Sequence, residues 1–338
     1  MLLTSTAPLT ETYDLAMLDL DGVVYIGADA VPGAAENIGA AREAGMRVAV
    51  ITNNASRTPA AVAEHLVELG VEADAADVVT SAQAASRVAR ERWGAGARVV
   101  CLGAPGLEAA LVEAGLEPVG ADAEAEAVVS GYGPDVPWRD IMRVAVRIRD
   151  GLPWVASNTD RTIPTAFGVA PGHGVQVDML ARFSEVTPVV AGKPERPLLE
   201  ETVRRVGGAR PLMVGDRLDT DIEGARNAEV DSLLVLTGIT GLTELVAAPP
   251  ALRPTYLAAD LGGLRRAHPA PRQDEEGWVL DGWRGRVVDG RLEVDGGGAE
   301  ADDAWRVAAS AAWAHLDATG AVADISAAGL PTAGRAAR

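Results

Sequence analysis

The sequence predicts an α/β protein with a parallel sheet, an inserted α/β domain and a small α+β appendage near its C-terminal end. Two observations predict the sheet: short apolar runs alternate with helical stretches along most of the 338 residues, and several runs end in polar side chains. Strands joined by crossover helices build parallel sheets, and ligands bind at the carboxyl ends of such strands. A third observation predicts the appendage, because the pattern changes past about Arg265 to short strands with Asp-Gly turns.

The chain is organised around an apolar run, Leu15–Leu20, that carries Asp19 and is followed by Asp21 and Gly22. A short run without polar alternation predicts a strand buried on both faces, and Gly22 lets the chain turn away. If the strand continued through both carboxylates, Asp19 and Asp21 would share one side, and a cation would be expected between them. Taken alone, the stretch is equally consistent with an ordinary Asp-Gly turn.

The core domain is expected over residues 14–75 and 184–262, interrupted by a cap domain over residues 76–183. The insertion is about one domain long, and it separates Thr52-Asn53-Asn54 from Lys193. The appendage is expected over residues 268–324 as a hairpin followed by a helix. Trp305 and Trp313 fall on one face of that helix, together with three alanines, and are expected to pack against the hairpin.

Strands are expected at the short apolar runs, and helices where capping residues or Pro precede longer stretches. The expected strands are Met46–Ile51, Arg98–Leu102, Ala127–Ser130, Trp154–Ala156, one within Pro188–Pro194, Pro211–Gly215, Ser232–Leu236 and two within Gly277–Val294. The expected helices are Pro32–Ala44, Pro59–Leu69, Ser81–Trp93, Leu107–Glu113, Trp138–Asp150, Leu198–Val206, Asp221–Ala228, a short one from Thr243, and Asp302–Leu316, while Ser157–Thr165 is expected to be a loop.

Composition excludes several classes of function. The net charge is −18, from 48 acidic and 30 basic residues, which argues against nucleic acid and anionic membranes as partners because both favour a basic surface. The single cysteine, Cys101, permits no intrachain disulfide and fits a reducing compartment. The first residues, Met1–Asp14, lack the basic residues and apolar core of a secretory signal, and no apolar run approaches membrane-spanning length. A cytoplasmic protein is expected.

The polar residues at the strand ends suit phosphoryl transfer, which needs a nucleophile, charge neutralisation and an acid for the leaving oxygen. Asp19 can attack phosphorus to form an aspartyl-phosphate. A carboxylate that approaches a phosphate is repelled by it, so Mg2+ is expected, held by Asp19, Asp216 and the backbone carbonyl of Asp21. The Asp21 side chain is then available to protonate the leaving alcohol and later to deprotonate water.

Four further residues can serve the phosphate. Thr52 and Asn53 can donate hydrogen bonds to its oxygens, and Lys193 brings a compact positive charge. Asp221 is expected to orient metal-bound water or Lys193 without itself binding the metal. Each has a structural alternative. Thr52 and Asn53 can form a helix-entry turn, and Lys193 can be a surface lysine. Asp216 and Asp221 can cap the helix that follows Gly215. These residues belong to four stretches, Asp19–Gly22, Thr52–Asn54, Gly192–Pro194 and Gly215–Asp221. Each stretch lies at the end of a predicted strand, and their joint occurrence favours the functional interpretation.

The motifs Asp-x-Asp-Gly, Thr-Asn-Asn, Gly-Lys-Pro and Gly-Asp-Arg-x-x-Thr-Asp-Ile resemble those of the haloacid dehalogenase (HAD) superfamily. The insertion between Asn54 and Lys193 is similar to that of its class-IIA, NagD-like phosphatases. The resemblance covers roughly residues 14 to 262. It implies a Rossmann-like HAD core and Mg2+ dependence, with Asp19 as nucleophile, Asp21 as acid/base, Thr52, Asn53 and Lys193 at the phosphate, Asp216 on the metal and Asn54 near the substrate.

The C-terminal extension makes the chain most similar to actinobacterial glycerol 3-phosphate phosphatases of that class, whose appendage resembles part of an acetyltransferase-like fold. No acetyl-CoA-binding Gly-rich loop is present in the extension, so acetyl transfer is not implied. The expected partner is a small phosphorylated metabolite, and a homodimer is plausible by resemblance.

Other functions stay open at this point. The substrate can instead be phosphoglycolate, pyridoxal phosphate, a nucleotide or sugar phosphate, or 4-nitrophenyl phosphate. The same residues can also transfer the phosphoryl group to an acceptor other than water. A different class of function is a non-catalytic sensor or scaffold that binds a phosphate ligand, but no catalytic residue is missing from the motifs.

Overall fold

The computed structural model describes residues 1–165 and 167–331, which form two compact units. Unit 1 contains residues 1–48, 69–71 and 208 to the last described residue, and unit 2 contains residues 49–68 and 72–207. The core, cap and appendage boundaries given above stay a prediction. Within the described ranges, no helix combines the length and the apolar character that a membrane crossing requires.

Most strands and helices lie within a few residues of the predicted ones. The strands are β1 Leu15–Asp19, β2 Tyr25–Ile26, β3 Asp29–Ala30, β4 Arg47–Thr52, β5 Val78–Thr80, β6 Arg98–Leu102, β7 Glu117–Val119, β8 Ala127–Ser130, β9 Trp154–Ala156, β10 Thr162–Thr165, β11 Gly168–Pro171, β12 Val189–Val190, β13 Pro211–Gly215, β14 Asp231–Val235, β15 Tyr256–Ala258, β16 Arg272–Asp274, β17 Gly277–Leu280, β18 Trp283–Val288 and β19 Arg291–Gly296. The helices are α1 Leu9–Thr12, α2 Ala34–Glu43, α3 Pro59–Glu68, α4 Ser81–Trp93, α5 Pro105–Glu113, α6 Trp138–Arg149, α7 His173–Ser184, α8 Pro197–Val206, α9 Glu223–Asn227, α10 Leu242–Val246 and α11 Ala301–Thr319.

In unit 1, four parallel strands lie in the order β15-β14-β13-β1, with Met17 opposite Met213 in the register. The four residues before Asp19 are fully buried, which confirms the predicted strand with two covered faces. Strand β1 ends at Asp19, however, and Asp21 lies in the following turn with an exposed side chain. The alternation that would place Asp19 and Asp21 on one side of a strand therefore does not apply.

The C-terminal part of unit 1 is an antiparallel sheet in the order β16-β17-β18-β19, covered by α11. The alanine face of α11, with Ala304, Ala308 and Ala312, packs on this sheet. Trp313 belongs instead to a cluster with Ile222 and Leu234 of the parallel-sheet core, and Trp305 packs against the same cluster. The expectation that the two tryptophans pack on the hairpin is wrong, because α11 is buried on two sides and its large side chains face the parallel sheet.

Polar contacts also fasten α11 to β15. The buried Arg306 guanidinium donates from Nε to the Leu257 carbonyl at 3.1 Å and from Nη1 to Asp303 Oδ1 at 2.7 Å. A third contact joins Arg306 Nη2 to His268 Nδ1 at 3.0 Å. A buried guanidinium with this many partners is satisfied where it lies, so α11 is held to the parallel sheet by hydrogen bonds as well as apolar contacts.

Unit 2 contains a five-stranded parallel sheet in the order β12-β9-β8-β6-β7 and the parallel pair β4–β5. Strands β6, β8 and β9 have the predicted bounds. The predicted loop Ser157–Thr165 is wrong in its second half, where β10 pairs with β11 in an antiparallel hairpin. The hairpin is largely exposed and contains Pro164, so its sequence lacks the apolar alternation of a buried strand.

A chain of buried polar groups lies inside unit 2. Trp154 Nε1 donates to Ser130 Oγ at 2.8 Å, Ser130 Oγ lies 3.2 Å from His173 Nε2, and His173 Nδ1 lies 2.9 Å from the Asn158 carbonyl. Because that carbonyl can only accept, Nδ1 carries the hydrogen and Nε2 accepts from the serine. Burial lowers the pKa of His173 to about 4, although the hydrogen bond to Asn158 opposes this shift. The imidazole is therefore neutral at pH 7.

Replacement of Trp313 by alanine should destabilise unit 1. The side chain is 1% exposed, and its Nε1 donates to the Leu245 carbonyl at 2.7 Å, so truncation leaves a cavity and an unsatisfied acceptor. We expect a loss of about 3–5 kcal/mol in the free energy of unfolding, measured by urea denaturation. The control Val322→Ala, at a side chain that is 52% exposed, should change it by less than about 0.5 kcal/mol. Equal losses in the two variants would contradict the packing described.

The neutral His173 makes stability depend on pH. Its pKa is about 4 in the folded protein against 6.5 ordinarily, so between these values the unfolded state binds more protons. Above pH 6.5, His173 therefore does not lower the free energy of unfolding. As the pH drops from 6.5 to 4, protonation of the unfolded state lowers this free energy, by about 3 kcal/mol for this group. We expect His173→Gln to give a shallower decline of stability from pH 7 to pH 4.5 in denaturant titrations. The same decline in wild type and variant would contradict the assignment.

Candidate active site

Three carboxylates converge in unit 1. Asp19 at the end of β1, Asp216 just after β13 and Asp221 each offer an oxygen, and these oxygens lie within 4.8 Å of one another. Asp216 and Asp221 are fully buried, and Asp19 is half-buried. Strands β1 and β13 are parallel neighbours, so their carboxyl ends meet at one edge and bring Asp19 and Asp216 together.

Asp221 is drawn into this cluster by the turn that follows β13. Residues Leu218–Ile222 form a single π-helical turn, which is an irregularity often found at functional sites. Oδ2 of Asp221 accepts the backbone N–H groups of Asp216 and Arg217, both at 3.1 Å. These bonds fix the backbone that carries Asp216, and the supporting role expected for Asp221 stays a prediction.

A loop that follows β14 closes over Asp216, and the sequence analysis did not identify it. The Ile239 N–H donates to Asp216 Oδ2 at 2.6 Å, and the Thr240 N–H donates to the Asp216 carbonyl at 3.1 Å. Thr237 Oγ1 donates to the Gly22 carbonyl at 2.5 Å. In the sequence, this loop can be identified from the pair Thr237-Gly238, which follows a buried strand closely, as the other motifs do.

Glycines make room for the carboxylates. A Cβ on Gly22 would lie 2.5 Å from Asp216 Oδ2, and Gly22 has a φ of +86° that side chains rarely adopt. A Cβ on Gly238 would overlap the carboxylate of Asp216, and one on Gly215 would overlap Asp221. Backbone is therefore packed directly against both buried carboxylates, and any side chain at these three positions would displace them.

This donor set suits a hard divalent cation. Three carboxylates with no intervening cation repel each other, and Mg2+ binds to a few carboxylates together with phosphate oxygens and water. The three aspartates each offer an oxygen to such an ion. Asp21, expected as a further ligand through its carbonyl, is outside the triad, and its metal contact stays a prediction.

The Thr52-Asn53-Asn54 stretch forms a tight polar turn at the end of β4 in unit 2. Thr52 Oγ1 accepts the Asn54 N–H at 3.0 Å, and this leaves the hydroxyl hydrogen for donation to another group. Asn54 Oδ1 accepts from the Ser56 N–H at 2.8 Å and from the Ser56 hydroxyl at 2.6 Å. Its carbonyl oxygen therefore stabilises the turn, and its amide nitrogen is the part suited to a substrate.

Asn53 and Lys193 are in direct contact, although 140 positions separate them. The Lys193 N–H donates to Asn53 Oδ1 at 2.8 Å, and Asn53 Nδ2 donates to the Lys193 carbonyl at 3.0 Å and to Asp160 Oδ1 at 3.0 Å. Both amide hydrogens of Asn53 are thus used within the protein. A contact between Asn53 and a phosphate, as the sequence predicted, would have to come from its backbone N–H.

Two residues of this arrangement were noted in the sequence only as part of a polar loop. Asn158 Nδ2 donates to the Asn53 carbonyl at 2.6 Å, and Asp160 accepts from Asn53. Ser81 Oγ also donates to the Asn53 carbonyl, at 2.5 Å. The signal was again a polar run directly after a buried strand, here Ser157–Asp160 after β9.

Comparison with known proteins agrees with this arrangement. The model of the haloacid dehalogenase-like hydrolase family matches residues 16–117, and a second model, described as HAD-hydrolase-like, matches residues 190–264. The chain is 40% identical to D-glycerol 3-phosphate phosphatase of Mycobacterium tuberculosis over 285 residues, 83% of this chain and 79% of that protein. It is 33% identical to acid sugar phosphatase of Staphylococcus aureus over 251 residues, 74% of this chain and 95% of that protein.

A solved structure is similar along nearly the whole chain. It is glycerol phosphate phosphatase from Mycobacterium tuberculosis in complex with magnesium, with a TM-score of 0.81, 38% identity, and coverage of 92% of this chain and 93% of that one. The similarity includes the C-terminal part, which the family models do not reach. The chain therefore belongs to the haloacid dehalogenase-like hydrolase family, and it is a phosphatase.

Proposed function

We propose that the protein is a Mg2+-dependent phosphomonoester hydrolase that acts through an aspartyl-phosphate, with glycerol 3-phosphate as its substrate. The observation that carries the proposal is the convergence of Asp19, Asp216 and Asp221 within 4.8 Å. The relatives support the substrate, since the one with 40% identity is named D-glycerol 3-phosphate phosphatase. Magnesium is supported by the donor set and by the magnesium complex of the similar structure.

In the first half of the proposed reaction, an Asp19 carboxylate oxygen bonds to phosphorus while the bond from phosphorus to the ester oxygen breaks. Asp21 donates a proton to the departing alkoxide, so that glycerol leaves as a neutral alcohol. In the second half, Asp21 takes a proton from water, the water oxygen bonds to phosphorus, and the bond to Asp19 breaks. The products are the alcohol and inorganic phosphate, and Asp19 is regenerated.

The remaining residues manage charge and position. Asp19, Asp216 and Asp221 are the groups that would hold Mg2+ at this site, and when bound, the ion neutralises charge on the phosphate. Thr52 donates its hydroxyl hydrogen to a phosphate oxygen, and Lys193 places its ammonium group against the same phosphate.

The proposal also includes a homodimer. Helix α6 exposes an apolar stripe, in which Trp138 is 60%, Met142 49% and Val146 38% exposed. Residues four apart share a helix face, and Phe183 of α7 extends the stripe, with Arg149 of α6 5.2 Å above its ring. Contiguous apolar surface of this kind marks protein interfaces, and a second copy of the chain would cover it.

We further propose a cytoplasmic location. The support is that the sequence contains one cysteine, Cys101, so no intrachain disulfide can form, as is usual for proteins of a reducing compartment.

The function is tested by measuring inorganic phosphate released from glycerol 3-phosphate, phosphoglycolate, pyridoxal phosphate, a sugar phosphate, a nucleoside monophosphate and 4-nitrophenyl phosphate. We expect release that requires Mg2+, with the highest kcat/KM for glycerol 3-phosphate. Asp19→Asn should lower kcat by at least about 1,000-fold, because an amide cannot act as the nucleophile. Another preferred ester would overturn the substrate alone, whereas release without divalent metal, or an active Asp19→Asn, would overturn the mechanism.

The dimer is tested by sedimentation velocity. Wild type is expected at twice the chain mass, and Met142→Asp should shift it to the monomer because a carboxylate would be buried without a partner. The matched control is Arg92→Asp, at an exposed position of α4 outside the stripe, which should stay dimeric. A monomeric wild type at micromolar concentration would refute this part of the proposal.

A further inference from the structure

The strongest feature that the proposed reaction leaves unexplained is the set of hydrogen bonds around Asn53. This residue is 8% exposed, Lys193 is 2% and Asn158 is 3% exposed. Five hydrogen bonds reach Asn53: its side chain makes two with the Lys193 backbone and one with Asp160, and its carbonyl accepts one each from Ser81 and Asn158. So many bonds on one buried side chain and its carbonyl indicate a fixed support.

The pair of bonds between Asn53 and Lys193 holds the lysine backbone from both sides. Oδ1 accepts the Lys193 N–H while Nδ2 donates to the Lys193 carbonyl, so the asparagine amide pairs with the lysine as a neighbouring strand would. The lysine ammonium group lies at the end of a flexible stem of four carbons, so the side chain has considerable rotamer freedom. A fixed backbone therefore restricts where the ammonium group can lie.

Asp160 selects one orientation of the Asn53 amide. The Asp160 carboxylate accepts from Asn53 Nδ2, which also donates to the Lys193 carbonyl. A flipped amide would place Oδ1 against two acceptors and would lose all three side-chain bonds. The Asp160 position is itself set locally, because its N–H donates to Asn158 Oδ1 at 3.2 Å.

Close packing leaves no room for a side chain at Gly192. A Cβ on Gly192 would lie 2.5 Å from Asn53 Oδ1 and 2.6 Å from the Ser157 carbonyl. The backbone before Lys193 is thus in contact with both Asn53 and the segment after β9. A shift of Ser157–Asp160 would be transmitted to Lys193 through these contacts.

We infer that Asp160 and Asn158 are positioning residues, which act on catalysis through Asn53 and Lys193 without touching the substrate. The inference rests on the proposed function, since it assigns the support of the lysine used there. It also explains why a polar run follows β9: Asn158 and Asp160 are the partners that complete the hydrogen bonds of Asn53.

The test compares Asp160→Ala with Asp160→Asn, using 4-nitrophenyl phosphate and glycerol 3-phosphate with Mg2+. Alanine removes the acceptor for Asn53, and we expect kcat to fall about 10- to 100-fold with little change in KM, as for a misplaced catalytic group. Asparagine keeps a carbonyl acceptor without charge, so it should recover most of that loss. Asn158→Ala should resemble Asp160→Ala, and Asp122→Ala, at a surface carboxylate paired with Arg143, is the matched control.

A second measurement separates positioning from a general structural effect. If Asp160 acts through Lys193, the loss from Asp160→Ala should be smaller in a Lys193→Arg background than in wild type, because the lysine geometry is already lost. Thermal unfolding of each variant shows whether it is folded. Equal losses in both backgrounds, or a kcat per folded molecule that does not change, would overturn the inference.

The remaining outcomes are also distinct. A raised KM with unchanged kcat in both Asp160 variants would mean that this carboxylate contacts the substrate, which overturns the positioning role alone. A wild-type protein that releases no phosphate from any ester would refute the proposed function and the inference with it. An active wild type with an unaffected Asp160→Ala would refute only the inference.

Discussion

Mutual repulsion among three carboxylates is the constraint on which the architecture of unit 1 depends. Asp19, Asp216 and Asp221 each offer an oxygen within 4.8 Å of the others, and two of them are buried, where negative charge is costly. Backbone N–H groups that donate to Asp216 and Asp221 offset part of this cost. Glycines let the backbone approach closely enough to make those bonds. The result is a set of carboxylates that suits a divalent cation, as the proposed function requires.

Unit 2 handles its own buried charge in a different way. Lys193 is almost fully buried, and its backbone is held by the neutral amide of Asn53. A neutral amide can donate and accept at the same time, so Asn53 holds both the N–H and the carbonyl of Lys193 while it also donates to the Asp160 carboxylate. Carboxylates thus dominate the cluster in unit 1, while amides, a hydroxyl and one carboxylate support the Lys193 backbone in unit 2.

The C-terminal segment is continuous with the core that carries Asp19, Asp216 and Asp221. Trp313 of α11 shares one hydrophobic cluster with Leu218 and Ile222, the first and last residues of the π-helical turn that contains Asp221. Arg306 adds a buried hydrogen bond to β15. A helix that packs behind a functional turn limits its movement, because well-packed interiors resist deformation. The segment is therefore part of the scaffold of the site.

The sequence by itself determined the local elements and the chemistry. Strands β6, β8, β9 and β13 have the predicted bounds, and Asp19, Thr52, Lys193 and Asp216 lie at or beside strand ends, because apolar runs and breakers act over a few residues. Only the tertiary structure decided that the Asn53 side chain bonds to the Lys193 backbone and that Gly238 lies directly against the Asp216 carboxylate. It also decided that Trp313 faces the parallel sheet. These contacts join residues far apart in the chain, and their direction depends on how side chains pack, which a local pattern does not encode.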